Sequence, residues 1–328
     1  MYYKEEKKLI DLIFGSKKLS PIFFKKINYD ELIVISSKNL LIPALFFELK
    51  KKNYLNHTPK EFSNYIHEIY IINRNRNEKL IKELTHLIKI LEKNKISYVL
   101  LKGSEFIMKN IFKDIGSRMI GDIDILVEEK DIEKSFELIN KLGYHTKYRF
   151  KYYKHRHLNR LINNNNLFAI ELHKNIINKK NKFLGSFENY FEYYKQNRVK
   201  FYQNKIILNH LYNDHGLLKA KINLRVLYDY NKLSKLGTSD EEFEIKKPNI
   251  YFFIMGNTLG VTNVKIENVN EYWFFKLRFK LKRQSKIFYL IDESICNLMI
   301  SARLTPYRLI EFLINKNYRK AKINNFMS

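Results

Sequence analysis

The sequence predicts an α+β protein in which a small α/β core lies between helical regions. Three short, β-prone apolar runs occur in the centre of the chain, at 96–101, 122–127 and 168–173. Long stretches with apolar residues at helical spacing precede and follow them. The chain has only 10 glycines and 5 prolines among its 328 residues, which argues against a loop-dominated or all-β protein.

The N-terminal region, residues 1–94, is expected to be helical. Short helices are predicted over the first part, where Leu41, Leu45 and Leu49 recur at helical spacing. A long helix is predicted over 61–94. Its apolar stripe consists of Leu80, Leu84, Leu87 and Leu91. We interpret this stripe as core packing, without a chemical role.

The core region, residues 95–180, is expected to alternate strands and helices. The predicted elements are a strand at 96–101, a helix at 105–112, a loop at 116–121, a strand at 122–127, a helix at 131–142, a turn at 163–166 and a strand at 168–173. Gly143 is the expected end of the second of these helices. The candidate catalytic residues are expected on or beside these predicted strands.

Two further regions are expected after the core. Residues 181–237 are predicted to be helical and to pack on the core, with leucines at helical spacing over 206–236. Residues 237–240, Gly-Thr-Ser-Asp, are typical of a linker, and 238–328 form a basic helical region. Within it, 275–283 alternates apolar and basic residues, which indicates a solvated face of an edge strand or helix, or else a nucleic-acid surface.

Composition excludes several classes of protein. Apolar residues make up 45% of the chain and aromatic residues 15%, so the chain can bury a core and is not disordered throughout. The single cysteine, Cys296, excludes an intramolecular disulfide framework and a cysteine-rich zinc module. The sequence lacks a run of ~18 uncharged apolar residues, and its first residues do not resemble a signal peptide. A cytoplasmic protein without a membrane partner is expected.

The formal net charge of +26 has two interpretations. Such an excess is typical of proteins that bind polyanions. It also fits a general enrichment in Lys, Asn, Ile, Tyr and Phe, the residues that A/T-rich codons encode. Nucleoside triphosphates are polyanions too, so the charge does not by itself require an RNA or DNA partner.

Three carboxylates are the strongest candidates for chemistry. Alternate side chains of a strand share a face, so Asp122 and Asp124 are expected to point the same way. Glu171 lies in the third apolar strand, where an acidic group is costly unless a cation or donor meets it. Hard oxygen ligands of this kind suit Mg²⁺ or Mn²⁺. The alternative is a chance acidic pair on an edge strand.

A possible phosphate-binding turn lies upstream of the acidic pair. Gly103 follows the first strand and would let the backbone approach a ligand closely. The N–H groups of the following helix, the Ser104 hydroxyl and the Lys102 ammonium could all bind phosphate. The alternative is an ordinary turn and helix cap.

These motifs resemble a known superfamily. The run LLKGSEFIMKNIFKDIGSRMIGDIDILV is similar to the signature of DNA-polymerase-β-like nucleotidyltransferases: a Gly-Ser turn, an Asp-x-Asp strand and a third carboxylate on a later strand. The resemblance is greater to a bacterial family of uncharacterised nucleotidyltransferases, and covers about residues 40–236 through its lead-in helix, its Glu-Leu-His strand and its following helices. The spacing of Arg118 and Asp122 also resembles that of abortive-infection nucleotidyltransferase toxins.

The resemblance implies a fold and a set of site residues. The fold would be a small mixed-sheet palm like that of polymerase β. The metal-binding and catalytic residues would be Asp122, Asp124 and Glu171. The residues near the nucleotide would be Lys102, Gly103, Ser104 and Arg118. His173 is added as a nucleotide-binding candidate because it flanks Glu171 on the same strand face. One departure is Glu105, an anion at the start of the phosphate-binding helix.

The remaining histidines give weaker signals. His155, His157 and His173 cluster around the third strand and could contact a base or an acceptor, or make structural hydrogen bonds. His210 and His215 are spaced too poorly on a helix for a joint metal site. On the same helical stretch Arg225 and Asp229 are four residues apart, a spacing that predicts an ordinary ion pair.

The favoured function is metal-dependent transfer of a nucleoside monophosphate from a nucleoside triphosphate (NTP, for example ATP) to an unidentified acceptor, with release of pyrophosphate. The acceptor could be a small molecule, a protein or an RNA, and a toxin-like tRNA nucleotidyltransferase is one alternative. A catalytically silent nucleotide- or RNA-binding protein is another, and a helical scaffold that uses the basic C-terminal region is a third. Intact carboxylates favour the enzyme, because a binding module has no need of three metal-holding acids.

Overall fold

The computed structural model describes residues 3–146, 156–176, 199–236, 247–267 and 269–314, together with 316 and 319. It confirms the predicted α+β class, with a small three-stranded mixed sheet and helical flanks. His155, the 237–240 linker and parts of the regions 181–237 and 238–328 lie outside the described residues.

The helices, in chain order, are α1 (Tyr3–Phe14), α2 (Pro21–Lys25), α3 (Tyr29–Lys38), α4 (Ile42–Lys51), α5 (Lys60–Lys93), α6 (Lys102–Met108), α7 (Ile132–Lys141), α8 (Val199–Leu208), α9 (Leu224–Ser234), α10 (Lys247–Thr258), α11 (Trp273–Gln284) and α12 (Lys286–Ile314). The strands are β1 (Tyr98–Leu100), β2 (Asp122–Val127) and β3 (Ala169–His173). Within the described residues, no single helix has both the length and the apolar composition for crossing a membrane. Helices α3 and α4, which are joined at a sharp bend, have that length and composition only when they are taken together.

The chain divides into two compact units, each built from three separate stretches. The first unit comprises Met1–Lys82, Phe106–Ile120 and Asn197–Ser285. The second comprises Glu83–Glu105, Gly121–Gln196 and Lys286–Ser328. The expected division into four consecutive regions stays a prediction.

Helices α1, α3 and α4 form one part of the first unit's core. The helical spacing of Leu41, Leu45 and Leu49 is confirmed, and all three side chains are buried. Lys52 donates from Nζ to backbone carbonyls at the end of α1, among them that of Leu12 at 2.5 Å. These carbonyls lack partners within the helix, so the ammonium group satisfies them.

The predicted helical stretch 206–236 is interrupted in the structure. Helix α8 ends at Leu208, a π-helical turn follows over Asn209–Asn213, and α9 begins only at Leu224. Asn223 caps α9 by accepting a hydrogen bond from the backbone N–H of Arg225. The leucine spacing continues across the break, and therefore does not reveal it.

The basic stretch 275–283 lies in α11, so it is helical and not an edge strand, and its use as a nucleic-acid surface stays a prediction. Lys282 is buried and donates to the carbonyl of Lys219, and Arg278 donates to that of Leu218. Arg283 forms an ion pair with Glu6 on α1. These basic groups make contacts within the first unit.

The sheet of the second unit has the order β1-β2-β3, antiparallel between β1 and β2 and parallel between β2 and β3. The three strands confirm the predicted runs. Helix α7 packs against β3 and is followed by Gly143, whose φ of 84° is the left-handed conformation that ends many helices. An irregular segment, 156–162, runs antiparallel along β3 and bonds to it through Leu158 and Leu161.

Candidate active site

The register of β2 and β3 brings the predicted acidic residues together. Asp122 pairs with Ala169 and Asp124 pairs with Glu171 in the parallel ladder. Paired residues of adjacent strands point to the same face of the sheet, and so do alternate residues of one strand. Asp122, Asp124, Glu171 and His173 therefore share one face of the β2–β3 pair.

Asp124 is the buried centre of this group. Its Oδ1 lies 2.6 Å from Nζ of Lys102 and 2.8 Å from Nε2 of His173. Its side chain is only 2% exposed. Its backbone N–H donates to Oγ of Ser104 over 3.2 Å, which fixes the position of β2 relative to α6.

Asp122 and Glu171 lie closer to the surface and share one cation. Nη2 of Arg160 lies 2.9 Å from Oδ2 of Asp122, and its Nε lies 3.8 Å from Oε1 of Glu171. Glu171 also lies 3.6 Å from Nε2 of His173 through its Oε2. All three carboxylates are thus held by cationic or imidazole groups.

The electrostatics of the group reflect crowding of like charges. Burial raises the pKa of Asp122, and the neighbouring charges of Asp124 and Glu171 raise it further. Burial alone would raise the pKa of Glu171, but the hydrogen bond with His173 and the charge of Lys102 outweigh it and lower that pKa. The two pKa values shift in opposite directions because burial and the acidic neighbours outweigh the Arg160 hydrogen bond at Asp122, whereas the donors and positive charges outweigh burial at Glu171.

The chemistry of these donors fits a divalent cation. Ligand atoms of Asp124, Glu171 and His173 all lie within 4.8 Å of one another. Carboxylate oxygens suit Mg²⁺ and Mn²⁺, and an imidazole nitrogen also suits Mn²⁺ and the later transition metals. The carboxylate of Asp122 lies beside this group on the same strand face. Three carboxylates against Lys102 and Arg160 leave an excess of one negative charge.

His173 is placed among the acids, so its predicted contact with a nucleotide stays a prediction. Its side chain is 1% exposed, and its Nδ1 has no hydrogen-bond partner among the described residues. Nε2 is the atom that faces both Asp124 and Glu171. The ring of His157 lies 5.0 Å from that of His173, and burial lowers the pKa of His157.

The predicted phosphate turn differs in detail from the sequence-based expectation. Helix α6 begins at Lys102 and ends at Met108, whereas the pattern predicted 105–112. The left-handed residue is Lys102, with φ of 50°, and Gly103 is not in this conformation. Lys102 is one of seven non-glycine residues with positive φ in the described part of the chain, and each such conformation costs about 1–2 kcal/mol. In this conformation the Nζ of Lys102 lies within hydrogen-bonding distance of Asp124.

Ser104 and Glu105 both point inward. Ser104 is fully buried and its hydroxyl is bonded to the backbone of β2. Glu105 is also fully buried, so it does not place an anion on the surface at the helix start. The binding of phosphate by Gly103 and Ser104 stays a prediction.

Arg118 belongs to the first unit and has a buried partner there. Its Nε and Nη2 donate to the two oxygens of Asp229 over 2.8 and 2.7 Å. The rings of Phe106 and Phe112 flank the guanidinium. Sequence spacing predicted a pair between Asp229 and Arg225, whereas the structure directs both carboxylate oxygens to Arg118. The predicted role of Arg118 near a triphosphate stays a prediction.

The loop that carries Arg118 is fixed by two asparagines of α5. The side-chain amides of Asn73 and Asn77 both donate to the carbonyl of Arg118, over 3.0 and 2.9 Å. Asn73 also donates to the carbonyl of Gly116. These hydrogen bonds hold the loop against α5 within the first unit.

Arg160 is the site residue that the sequence interpretation missed. The predicted turn at 163–166 is confirmed, and it turns the chain so that 156–162 runs back along β3. Pairing residues across that turn would have placed Arg160 opposite Glu171. The predicted turn is the sequence signal that could have indicated this position, but the turn alone does not fix the register of 156–162 along β3.

Comparison with known proteins gives a family. A family described as uncharacterised nucleotidyltransferases matches residues 25–242, about two thirds of the chain. No curated protein and no solved structure matches. The matched range contains both strands of the acidic group and every predicted site residue.

Proposed function

The chain belongs to the uncharacterised nucleotidyltransferase family, and from that membership we propose that it transfers a nucleoside monophosphate from an NTP to an acceptor. The observation that carries the proposal is the register of β2 and β3, which aligns Asp124 with Glu171 and leaves Asp122 on the same face. Family membership suggests the reaction, and the acidic face offers the groups that such a reaction requires.

The acceptor oxygen attacks the α-phosphorus, a new P–O bond forms, and the bond to the β-phosphate oxygen breaks. Pyrophosphate leaves with that electron pair, and the proton of the acceptor hydroxyl is released to solvent. When bound, divalent metal ions would polarise the α-phosphate, activate the attacking oxygen and stabilise the leaving pyrophosphate.

The side chains of the second unit have distinct parts in this proposal. Asp122, Asp124 and Glu171 would hold the metal ions through their carboxylate oxygens. His173 would keep Asp124 oriented through the 2.8 Å contact at its Oδ1. Lys102, whose side chain is about one-third exposed, would face the triphosphate. Positioning and charge neutralisation dominate such reactions, so no side-chain nucleophile is needed.

The acceptor stays open in this proposal. A small molecule, a protein hydroxyl and an RNA end all offer a suitable oxygen. The net charge of +26 would favour a polyanionic acceptor such as tRNA, but the same charge attracts the NTP itself.

Pyrophosphate release tests the proposal directly. We expect the protein, incubated with each NTP and fractionated cell lysate, to release pyrophosphate with Mg²⁺ or Mn²⁺ and to stop when EDTA is added. Labelling the α-phosphate would show the acceptor class through sensitivity of the product to nuclease, to protease or to neither.

Two results would contradict the proposal. One is metal-dependent NTP binding without pyrophosphate release from any NTP or lysate fraction, which is the behaviour of a silent binding protein. The other is a γ-phosphate transfer that leaves a nucleoside diphosphate, which would indicate a kinase.

A further inference from the structure

We propose that Arg160 is a substrate-binding residue that occupies the metal-binding carboxylates until a divalent cation arrives and then binds the triphosphate. The inference rests on the proposed function, because it requires that metal and NTP share this site. It concerns a residue that lies inside the matched range but outside the Asp-x-Asp motif, and to which the resemblance assigned no role.

The guanidinium of Arg160 lies between the carboxylates of β2 and β3. Arg160 reaches Asp122 at 2.9 Å and Glu171 at 3.8 Å, so it spans the two strands that carry the acidic residues. Its side chain is 54% exposed, whereas those of Asp122 and Glu171 are 26% and 16% exposed. The cation therefore lies on the solvent side of the carboxylates, where a triphosphate would approach.

The backbone that carries Arg160 is irregular where it runs along β3. His157 forms a bridge with His173, and Leu161 forms one with Ile170. Between these bridges the 156–162 segment advances one residue more than β3, which is the pattern of a β-bulge. A bulge redirects side chains and is common beside active sites. Arg160 lies within the bulged stretch, immediately before Leu161.

Arg160 can leave the carboxylates with little loss of stability. Half-exposed ion pairs contribute little stability, because water replaces the lost contact. A metal ion bound to these carboxylates would compete with the guanidinium for their lone pairs and repel its positive charge. The buried pair of Arg118 with Asp229 is the opposite case, held by two hydrogen bonds and shielded from water. Of these two arginines, only Arg160 is suited to exchange partners.

Once released from the carboxylates, the guanidinium of Arg160 is suited to bind phosphate. A guanidinium presents paired N–H donors in a planar fork that matches phosphate oxygens. Once metal ions neutralise the three carboxylates, Arg160 and Lys102 are surplus positive charges at the mouth of the site. A triphosphate supplies the negative charge that they then lack.

The test measures binding, without turnover. Mn²⁺ affinity is measured by titration calorimetry on the full chain without nucleotide, and then the affinity for a non-hydrolysable ATP analogue is measured at saturating Mn²⁺. For Arg160→Ala we expect Mn²⁺ to bind about two- to tenfold more tightly, because its competitor is gone, and the analogue to bind about ten- to a hundredfold more weakly. Arg160→Lys, which keeps the charge and loses the fork, should fall between wild type and Arg160→Ala in analogue affinity.

Lys130→Ala is the matched control. Lys130 is an exposed cation of the same unit that pairs with Glu128, and its removal should change neither affinity. An analogue affinity of Arg160→Ala within twofold of wild type overturns the inference, as does a parallel loss of Mn²⁺ affinity, which would make Arg160 a structural support. If the wild type itself does not bind Mn²⁺, the metal-dependent function proposed above fails as well, so the two failures are distinguishable.

Discussion

We expect Asp124→Asn to lower the rate of nucleotidyl transfer by about a thousandfold or more, because stabilisation of several kcal/mol by the metal would be lost. Asp124 is the most buried of the three acids. It lies two residues from Asp122 on β2 and pairs with Glu171 on β3. Asparagine has the same shape but lacks the charge and one of the oxygens. Its remaining oxygen can still accept from Lys102 and His173, so the fold should persist.

The control for this variant is Glu129→Gln. Glu129 is an exposed carboxylate that follows β2 in the same unit, and it makes an ion pair with Lys174 at 3.7 Å. Its rate should equal that of wild type. A folded Asp124→Asn protein with a rate within tenfold of wild type would show that this carboxylate does not hold the catalytic metal.

The second large effect concerns stability. We expect Asp229→Ala to lower the free energy of unfolding by about 3–5 kcal/mol, because it leaves the guanidinium of Arg118 buried without its carboxylate. Both side chains are less than one-tenth exposed, so water cannot replace the lost partner. Urea denaturation followed by circular dichroism would measure the difference.

The matched comparison is the exposed pair of Arg74 and Glu78 on α5, in the same unit. Its atoms lie 3.4 Å apart and both side chains are about half exposed. Glu78→Ala should lower the free energy of unfolding far less than Asp229→Ala does, because both partners are exposed to water. An Asp229→Ala protein no less stable than Glu78→Ala would mean that Arg118 finds another partner, and it would remove our reason for treating it as a fixed structural residue.

The sequence predicted the strands and the acidic residues well because both depend on local pattern. Apolar alternation identified β2, and the same alternation placed Asp122 and Asp124 on one face. Helix α5 was predicted nearly to its ends, since its leucine stripe is continuous. Such features need no information about residues distant in the chain.

Contacts between distant residues were predicted poorly. Helical spacing directed Asp229 to Arg225, but its observed partner Arg118 lies 111 positions away. The start of α6 was misplaced because Lys102 adopts a left-handed conformation that sequence patterns assign to glycine. Arg160 was missed because only the register along β3 brings it to Asp122 and Glu171.

Joint binding of a divalent metal by the carboxylates of β2 and β3 underlies both the proposed reaction and the proposed role of Arg160. The most direct measurement is anomalous scattering from crystals of the full chain soaked in Mn²⁺, recorded at the manganese absorption edge. We expect a peak bonded to oxygens of Asp122, Asp124 and Glu171, with Arg160 displaced from them. An empty acidic cluster with its ion pairs intact, in crystals that bind Mn²⁺ elsewhere or not at all, would contradict it.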